Sequence, residues 1–154
     1  MRIALSADHR GSGCIRQLAE KLKREGHEAI VVGECSGAAC DYPERAYDVG
    51  RMIADKQAEL GILVCGTGIG MSIAANKVPG VRAAVVHDEL TAQLSRSHND
   101  SNVLCLSADL LGQRLIEKVV ESWLGATFEG GRHSRRIRKI IAMERGENPA
   151  NVVE

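Results

Sequence analysis

Residues 60–77, LGILVCGTGIGMSIAANK, decide the fold class. The first six, Leu60–Cys65, are aliphatic without a polar alternation, which predicts a strand covered on both faces. The next five, Gly66-Thr67-Gly68-Ile69-Gly70, put a glycine at every second position, a turn that lets the backbone approach a ligand closely. Residues 71–77 continue as a helix that stops near Pro79-Gly80. A buried strand passing through a glycine turn into a helix is the unit from which a parallel, helix-covered sheet is built.

The same alternation extends in both directions. Residues 2–7, 28–32, 81–86 and 102–106 read as further short strands. Residues 13–25, 44–56, 89–96, 110–124 and 132–145 carry helical patterns, with Leu111, Leu115, Val119 and Trp123 recurring at spacing four. The expected fold is α/β: a Rossmann-like, three-layer α/β/α sandwich on a five-stranded parallel sheet, with a C-terminal helix. Residues 1–145 form one domain, and the polar tail 146–154 is expected to fray.

Composition narrows the function. With 154 residues the chain can bury a sizeable core, and with 3% aromatics that core must be aliphatic. So few aromatics, and a formal net charge of +0, argue against nucleic acid as a partner. Any phosphate must be bound by local placement, and the one basic cluster is Arg132, His133, Arg135, Arg136, Arg138 and Lys139. The five cysteines, Cys14, Cys35, Cys40, Cys65 and Cys105, are odd in number and form no CxxC pair, which predicts free thiols in a reducing compartment. Cys35 and Cys40 lack standard zinc spacing and read as a surface loop. No apolar run approaches the roughly 18 residues of a membrane span, so a soluble, cytoplasmic protein without a membrane partner is expected.

Open parallel sheets bind ligands beyond the carboxyl ends of their strands. That rule selects Asp8-His9, residues 65–70 and His87-Asp88. Cys65 stands before a glycine turn and a helix start, where positive field favours a thiolate and can hold a developing oxyanion. A packed core cysteine in a common glycine turn is the plainer alternative. The turn fails as a GxGxxG dinucleotide loop because Met71 occupies the last position. Asp8 beside His9 is either an acid–imidazole pair or a helix cap. Residues 95–100, SRSHND, are either a polar helix end or a donor-rich surface for a polyhydroxylated ligand. Arg132 and Arg136, four apart at a helix start, share one face and suit a phosphate, although a solvated basic face is the usual fate of such a charge run.

Together these segments resemble the ribose-5-phosphate isomerase B family, which includes galactose-6-phosphate isomerase subunits. The resemblance spans residues 2–144 and is carried by 65–77 (CGTGIGMSIAANK), 95–104 (SRSHNDSNVL) and 123–133 (WLGATFEGGRH), with Asp8-His9-Arg10-Gly11 and Asp41-Tyr42-Pro43. It implies an aldose–ketose isomerase, most simply of ribose 5-phosphate, that needs neither metal nor cofactor. Cys65 would be the base, His98 would open the sugar ring, and Asp8 would assist at the ring oxygen or O1. The amides of Gly66, Gly68 and Gly70, with Thr67 and Ser72, would stabilise the enediolate. Tyr42 and Asn99 would contact sugar hydroxyls, and His9, Arg132 and Arg136 the phosphate. The resemblance also implies a homodimer, alone or paired into a tetramer, in which the His98 segment of one subunit faces the other's Cys65 turn. A family branch uses a glutamate in the glycine turn as base; Met71 there is not acidic, which places this chain in the cysteine branch.

Two stretches depart from the pattern. Ser107-Ala108-Asp109 replaces a Gly-x-Arg whose arginine can reach phosphate, leaving Arg10 as a substitute cation, and residues 87–91 (HDELT) differ where specificity is set. The alternatives are therefore an isomerase of allose or galactose 6-phosphate, or of an unphosphorylated sugar, and, in a different class, a non-catalytic sugar-phosphate or nucleotide-binding module.

Overall fold

The computed structural model describes residues 1–33 and 38–153. Its elements, in chain order, are β1 (Arg2–Ala7), α1 (Ser12–Arg24), β2 (Glu28–Val31), α2 (Tyr42–Ala54), β3 (Leu60–Cys65), α3 (Ile69–Ala75), β4 (Ala83–Val85), α4 (Glu89–Asn99), β5 (Val103–Ser107), α5 (Gln113–Gly125) and α6 (Arg132–Glu144). A 3₁₀ turn at Pro149–Asn151 follows and packs against α6. The sheet is wholly parallel, in the order β2-β1-β3-β5-β4.

The strands at the centre, β1, β3 and β5, are buried almost throughout, because helices cover both faces. On one face Ile15, Leu18 and Leu22 of α1 and Ile116, Val119 and Trp123 of α5 meet Ile3, Leu5, Ile62 and Leu104. On the other, Val49 and Ile53 of α2 and Met71 and Ala75 of α3 meet Leu63, Val103 and Cys105. This is the three-layer arrangement expected from the sequence. Trp123, the one tryptophan, is fully buried and donates its Nε1–H to Ser101 Oγ at 2.8 Å.

Some boundaries differ from expectation, for local reasons. The buried face of α5 is Ile116, Val119, Val120 and Trp123, while Leu115 is 37% exposed. A strict spacing of four drifts about 40° per step around a helix of 3.6 residues per turn, so it leaves the core face. The fourth strand shrinks to Ala83–Val85, an edge strand, because Asn76 Oδ1 accepts from Ala83 N–H and Asn102 Oδ1 from Arg82 N–H. α4 runs past Arg96 to Asn99 and closes on Asp100, whose φ of 46° is a left-handed cap. Residues 95–99 therefore lie on a helix rather than in a turn.

Cys14, Cys65 and Cys105 are free thiols, as expected, but Cys40 is disulfide-bonded, which corrects that expectation. The reading made for Cys35 lies outside the described residues. Burial and the nearby Glu117 push the Cys14 thiol up to about 11, and burial raises that of Cys105 further. Among the described residues no helix is long and apolar enough to cross a membrane.

Candidate active site

Strand order places the chemistry. β1 has β2 on one side and β3 on the other, so the chain reverses its direction of travel between β1 and β3, and a crevice opens there at the carboxyl edge. Asp8 follows β1 and Cys65 ends β3. Both are buried, and Asp8 N–H donates to Val64 O at 3.2 Å.

The glycine turn is built by close contact. Gly68 has φ 78°, and a Cβ there would stand 3.1 Å from the Leu106 carbonyl carbon, so any side chain would be both strained and crowded. This conformation directs Gly68 N–H to Cys65 Sγ at 3.2 Å. The Gly68 amide was expected to face an oxyanion; it is aimed at the sulfur instead. Gly66 O accepts from Ser107 Oγ at 2.6 Å and from Asp109 N–H at 3.1 Å, which pins the turn to the end of β5. Thr67 is exposed at the tip, and its Oγ1 accepts from Ile69 N–H. A Cβ on Gly70 would meet Tyr42 Cζ at 2.5 Å, so the Tyr42 ring lies directly on this turn. Ser72 departs from its expected role: its Oγ points to Ala83 O at 3.5 Å, toward β4.

Asp8 Oδ1 accepts from the amides of Arg10 at 2.9 Å and Gly11 at 3.2 Å, the helix-entry role, while leaving Oδ2 outside these bonds. His9 is exposed, and its Nδ1 accepts from Cys40 N–H at 3.5 Å, which ties it to the segment leading into Tyr42. Gly11 is wedged under Val64: a Cβ would come within 2.6 Å of the Val64 carbonyl oxygen. Gly11→Ala is therefore expected to cost about 1–3 kcal/mol of stability by overpacking beside Cys65. Urea denaturation checks this, and an unchanged midpoint would mean that β3 yields freely.

Arg10 and Asp109 form a pair that local sequence does not reveal. Arg10 Nε and Nη2 both bond the Asp109 carboxylate, at 2.8–3.0 Å, across the face of Gly66. The Asp109 carboxylate is thus neutralised by Arg10, and Arg10, the expected substitute cation for phosphate, is in turn held by Asp109. The His87–Asp88 stretch opens α4: Asp88 Oδ1 caps Thr91 N–H at 2.7 Å, and that bond holds the carboxyl below its usual range.

The remaining expected residues lie elsewhere. α4 starts at the carboxyl edge and its 11 residues carry the chain about 16 Å back along the sheet. His98 and Asn99 therefore emerge at the amino edge, where Arg82, just before β4, bonds Asn99 O at 3.1 Å and Asp100 Oδ2 at 2.8 Å. His98 stacks on buried His133 with centroids 4.3 Å apart and planes 8° apart. Gly130 and Gly131, both at positive φ, turn the chain into α6. Arg132 and Arg136 are exposed and, among the described residues, have no hydrogen-bond or ion-pair partner. No hydrogen bond, ion pair or ring contact among the described residues joins the Cys65 group to the His98 group. The two groups of expected site residues lie at opposite edges of the sheet. Sequence reasoning missed Glu129 and His133 as neighbours of His98; their spacing of four across a glycine pair was the available signal.

Comparison with known proteins follows the same lines. The sequence pattern described as Ribose/Galactose Isomerase matches residues 3–140. Ribose-5-phosphate isomerase B of Escherichia coli (strain K12) is 43% identical over 147 residues, covering 96% of this chain and 99% of its own. The structure of Clostridium thermocellum ribose-5-phosphate isomerase B superposes with a TM-score of 0.93 at 42% identity, covering 95% of this chain and 99% of that one. That of ribose-5-phosphate isomerase B from Mycoplasma genitalium with bound ribulose-5-phosphate gives 0.90 at 42% identity, covering 94% and 96%.

Proposed function

Since the chain belongs to the Ribose/Galactose Isomerase family, we propose that it is an aldose–ketose isomerase converting ribose 5-phosphate to ribulose 5-phosphate, with Cys65 as base. The observation that carries this reading is the turn in which Gly68 N–H meets Cys65 Sγ, with Tyr42 packed on Gly70 and Asp8 across the crevice. The opened aldose presents its C2–H to Cys65 Sγ. The sulfur takes that proton, the C1 carbonyl becomes part of a cis-enediol(ate), and the thiol, whose proton exchanges with solvent, protonates C1. The O2 proton moves to O1, which leaves the C2 carbonyl of the ketose. Thr67 and the amides of Gly66 and Gly70 are assigned to the oxygen on which charge develops, while the Gly68 amide serves the Cys65 sulfur. No step calls for a metal or redox cofactor.

Ring opening falls to His98, with Asp8 assisting, and phosphate binding to His9, Arg132 and Arg136; Asn99 and Tyr42 contact hydroxyls. Because His98 lies at the amino edge and Cys65 at the carboxyl edge, this assignment requires a second copy. The proposed working unit is a homodimer, alone or paired into a tetramer, in the cytoplasm, where His98 of the partner subunit completes each site.

The Arg10–Asp109 pair favours a second reading, a different sugar, because Arg10, the expected substitute cation, is held by Asp109 beside Gly66 rather than left free for a phosphate. A deuterium-exchange panel separates the two. The protein is incubated in deuterated water with ribose 5-phosphate, allose 6-phosphate, galactose 6-phosphate and the free sugars, and C2 exchange is followed by NMR. Exchange on ribose 5-phosphate with free ribose inert is expected. Turnover of another ester, or of free sugars alone, would select the second reading, and silence across the panel would remove these sugars as substrates and point to a sugar outside the panel, a missing partner subunit or a binding role. Arg132→Ala is expected to raise KM for the phosphorylated substrate by roughly tenfold or more, losing a charged hydrogen bond. An unchanged KM would take Arg132 out of the phosphate site.

A further inference from the structure

We propose that His98, Glu129 and His133 form a binding site for a divalent transition-metal ion of the Zn2+ or Co2+ type, and that an ion bound there inhibits the isomerase by occupying His98. The inhibitory half rests on the ring-opening role given to His98 above; the binding half does not.

The donor set comes first. His98 Nε2 stands 3.8 Å from Glu129 Oε2, and His133 Nε2 stands 3.9 Å from the same oxygen. All three atoms lie within 4.8 Å of one another. These separations are too long for hydrogen bonds, so the imidazoles and the carboxylate do not satisfy each other directly. Ligands bound to tetrahedral zinc at 2.0–2.2 Å sit about 3.3–3.6 Å apart, so the two nitrogen–oxygen separations must close by about half an ångström and the widest donor pair by up to about 1.5 Å, with the exposed His98 ring tilting out of its stack on His133 to converge on the ion. Two histidines and one glutamate are moreover a complete three-ligand zinc set that leaves a fourth position open.

The backbone holds this set in place. Glu129 N–H donates to Ser97 O at 3.0 Å, which ties the Glu129 segment to the residue before His98. His133 N–H donates to Gly130 O at 3.0 Å and closes the glycine turn between Glu129 and His133. The buried His133 ring is a fixed anchor, whereas the side chains of His98 and Glu129, 35% and 58% exposed, have room to move onto an ion. Arg132 and Arg136 flank this anchor, close enough to act on the His133 ring, while Glu129 acts on it with the opposite sign. The same two guanidiniums oppose a dication. The expected site is thus a moderate-affinity one, unlike a closed structural zinc site.

The test uses the full-length protein carrying Cys65→Ala, so that a catalytic-site thiolate cannot supply a ligand. Co2+ is titrated in, followed by calorimetry and visible absorption. Saturable 1:1 binding is expected per chain, with a nitrogen–oxygen spectrum, no thiolate charge-transfer band, and displacement by Zn2+. Glu129→Gln and His133→Ala should each weaken binding by at least about tenfold. Glu129→Gln changes an exposed side chain, so it remains informative if His133→Ala fails to fold. Unchanged affinity in Glu129→Gln, or a thiolate spectrum, overturns the site. In the otherwise wild-type enzyme Zn2+ should inhibit isomerisation, and Glu129→Gln should relieve that inhibition. Binding without inhibition would leave the ion site standing and overturn both the inhibitory half and the role of His98.

Discussion

Cys65→Ala lowers isomerisation by roughly 10²–10⁴-fold, the usual contribution of a positioned base, while assembly and ligand binding persist. The side chain is buried at the end of β3, and alanine keeps the backbone path and removes a single sulfur. What disappears is the one group in the turn able to carry a proton between two adjacent carbons. Cys65→Ser refines the result, because serine restores volume and a hydrogen-bond acceptor for Gly68 N–H without restoring a comparable base. It should remain near the alanine level. The measurement is C2 deuterium exchange together with ketose formation, with sugar-phosphate binding followed separately by calorimetry. If Cys65→Ala turned over within a few-fold of the parent, proton transfer would belong to another group, and Asp8, across the crevice, would be the first candidate.

Mixing two inactive variants restores activity. Cys65→Ala and His98→Ala should each be nearly silent alone. In a dimer containing one of each, the site that takes Cys65 from the His98→Ala subunit and His98 from the Cys65→Ala subunit is intact, and the other site lacks both groups. Statistical co-assembly makes half of the dimers mixed, with one good site in two. Co-expressed protein should therefore recover about one quarter of the parental specific activity. No rearrangement within a chain predicts this gain. A mixture as inactive as its parents would place both groups in one subunit, against the separation of Cys65 and His98 to opposite edges of the sheet.

Much of the molecule was legible locally. Unbroken aliphatic runs such as Leu60–Cys65 identified strands covered on both faces, since only such strands dispense with polar alternation. The glycines of the turn marked where backbone and neighbours come close, and the contacts at Gly68 and Gly70 give that signal its physical content. Helix ends were read less well. The extension of α4 to Asn99 depends on a left-handed Asp100 that Arg82 and Arg96 both hold, and neither partner is recognisable from spacing.

By itself, then, the sequence determined the α/β class, the buried faces of its strands, and a cysteine at the mouth of a glycine turn, because periodicity and the steric demands of glycine act over a few residues. Tertiary structure alone decided what meets what. Arg10 reaches Asp109 across 99 positions because β1, β3 and β5 are adjacent in the order β2-β1-β3-β5-β4. His98 stacks on His133, far from Cys65, because an antiparallel crossover helix carries its last residues to the opposite edge of the sheet. Strand order and helix direction fix these meetings. They follow from how the whole core closes, which no local window of sequence contains.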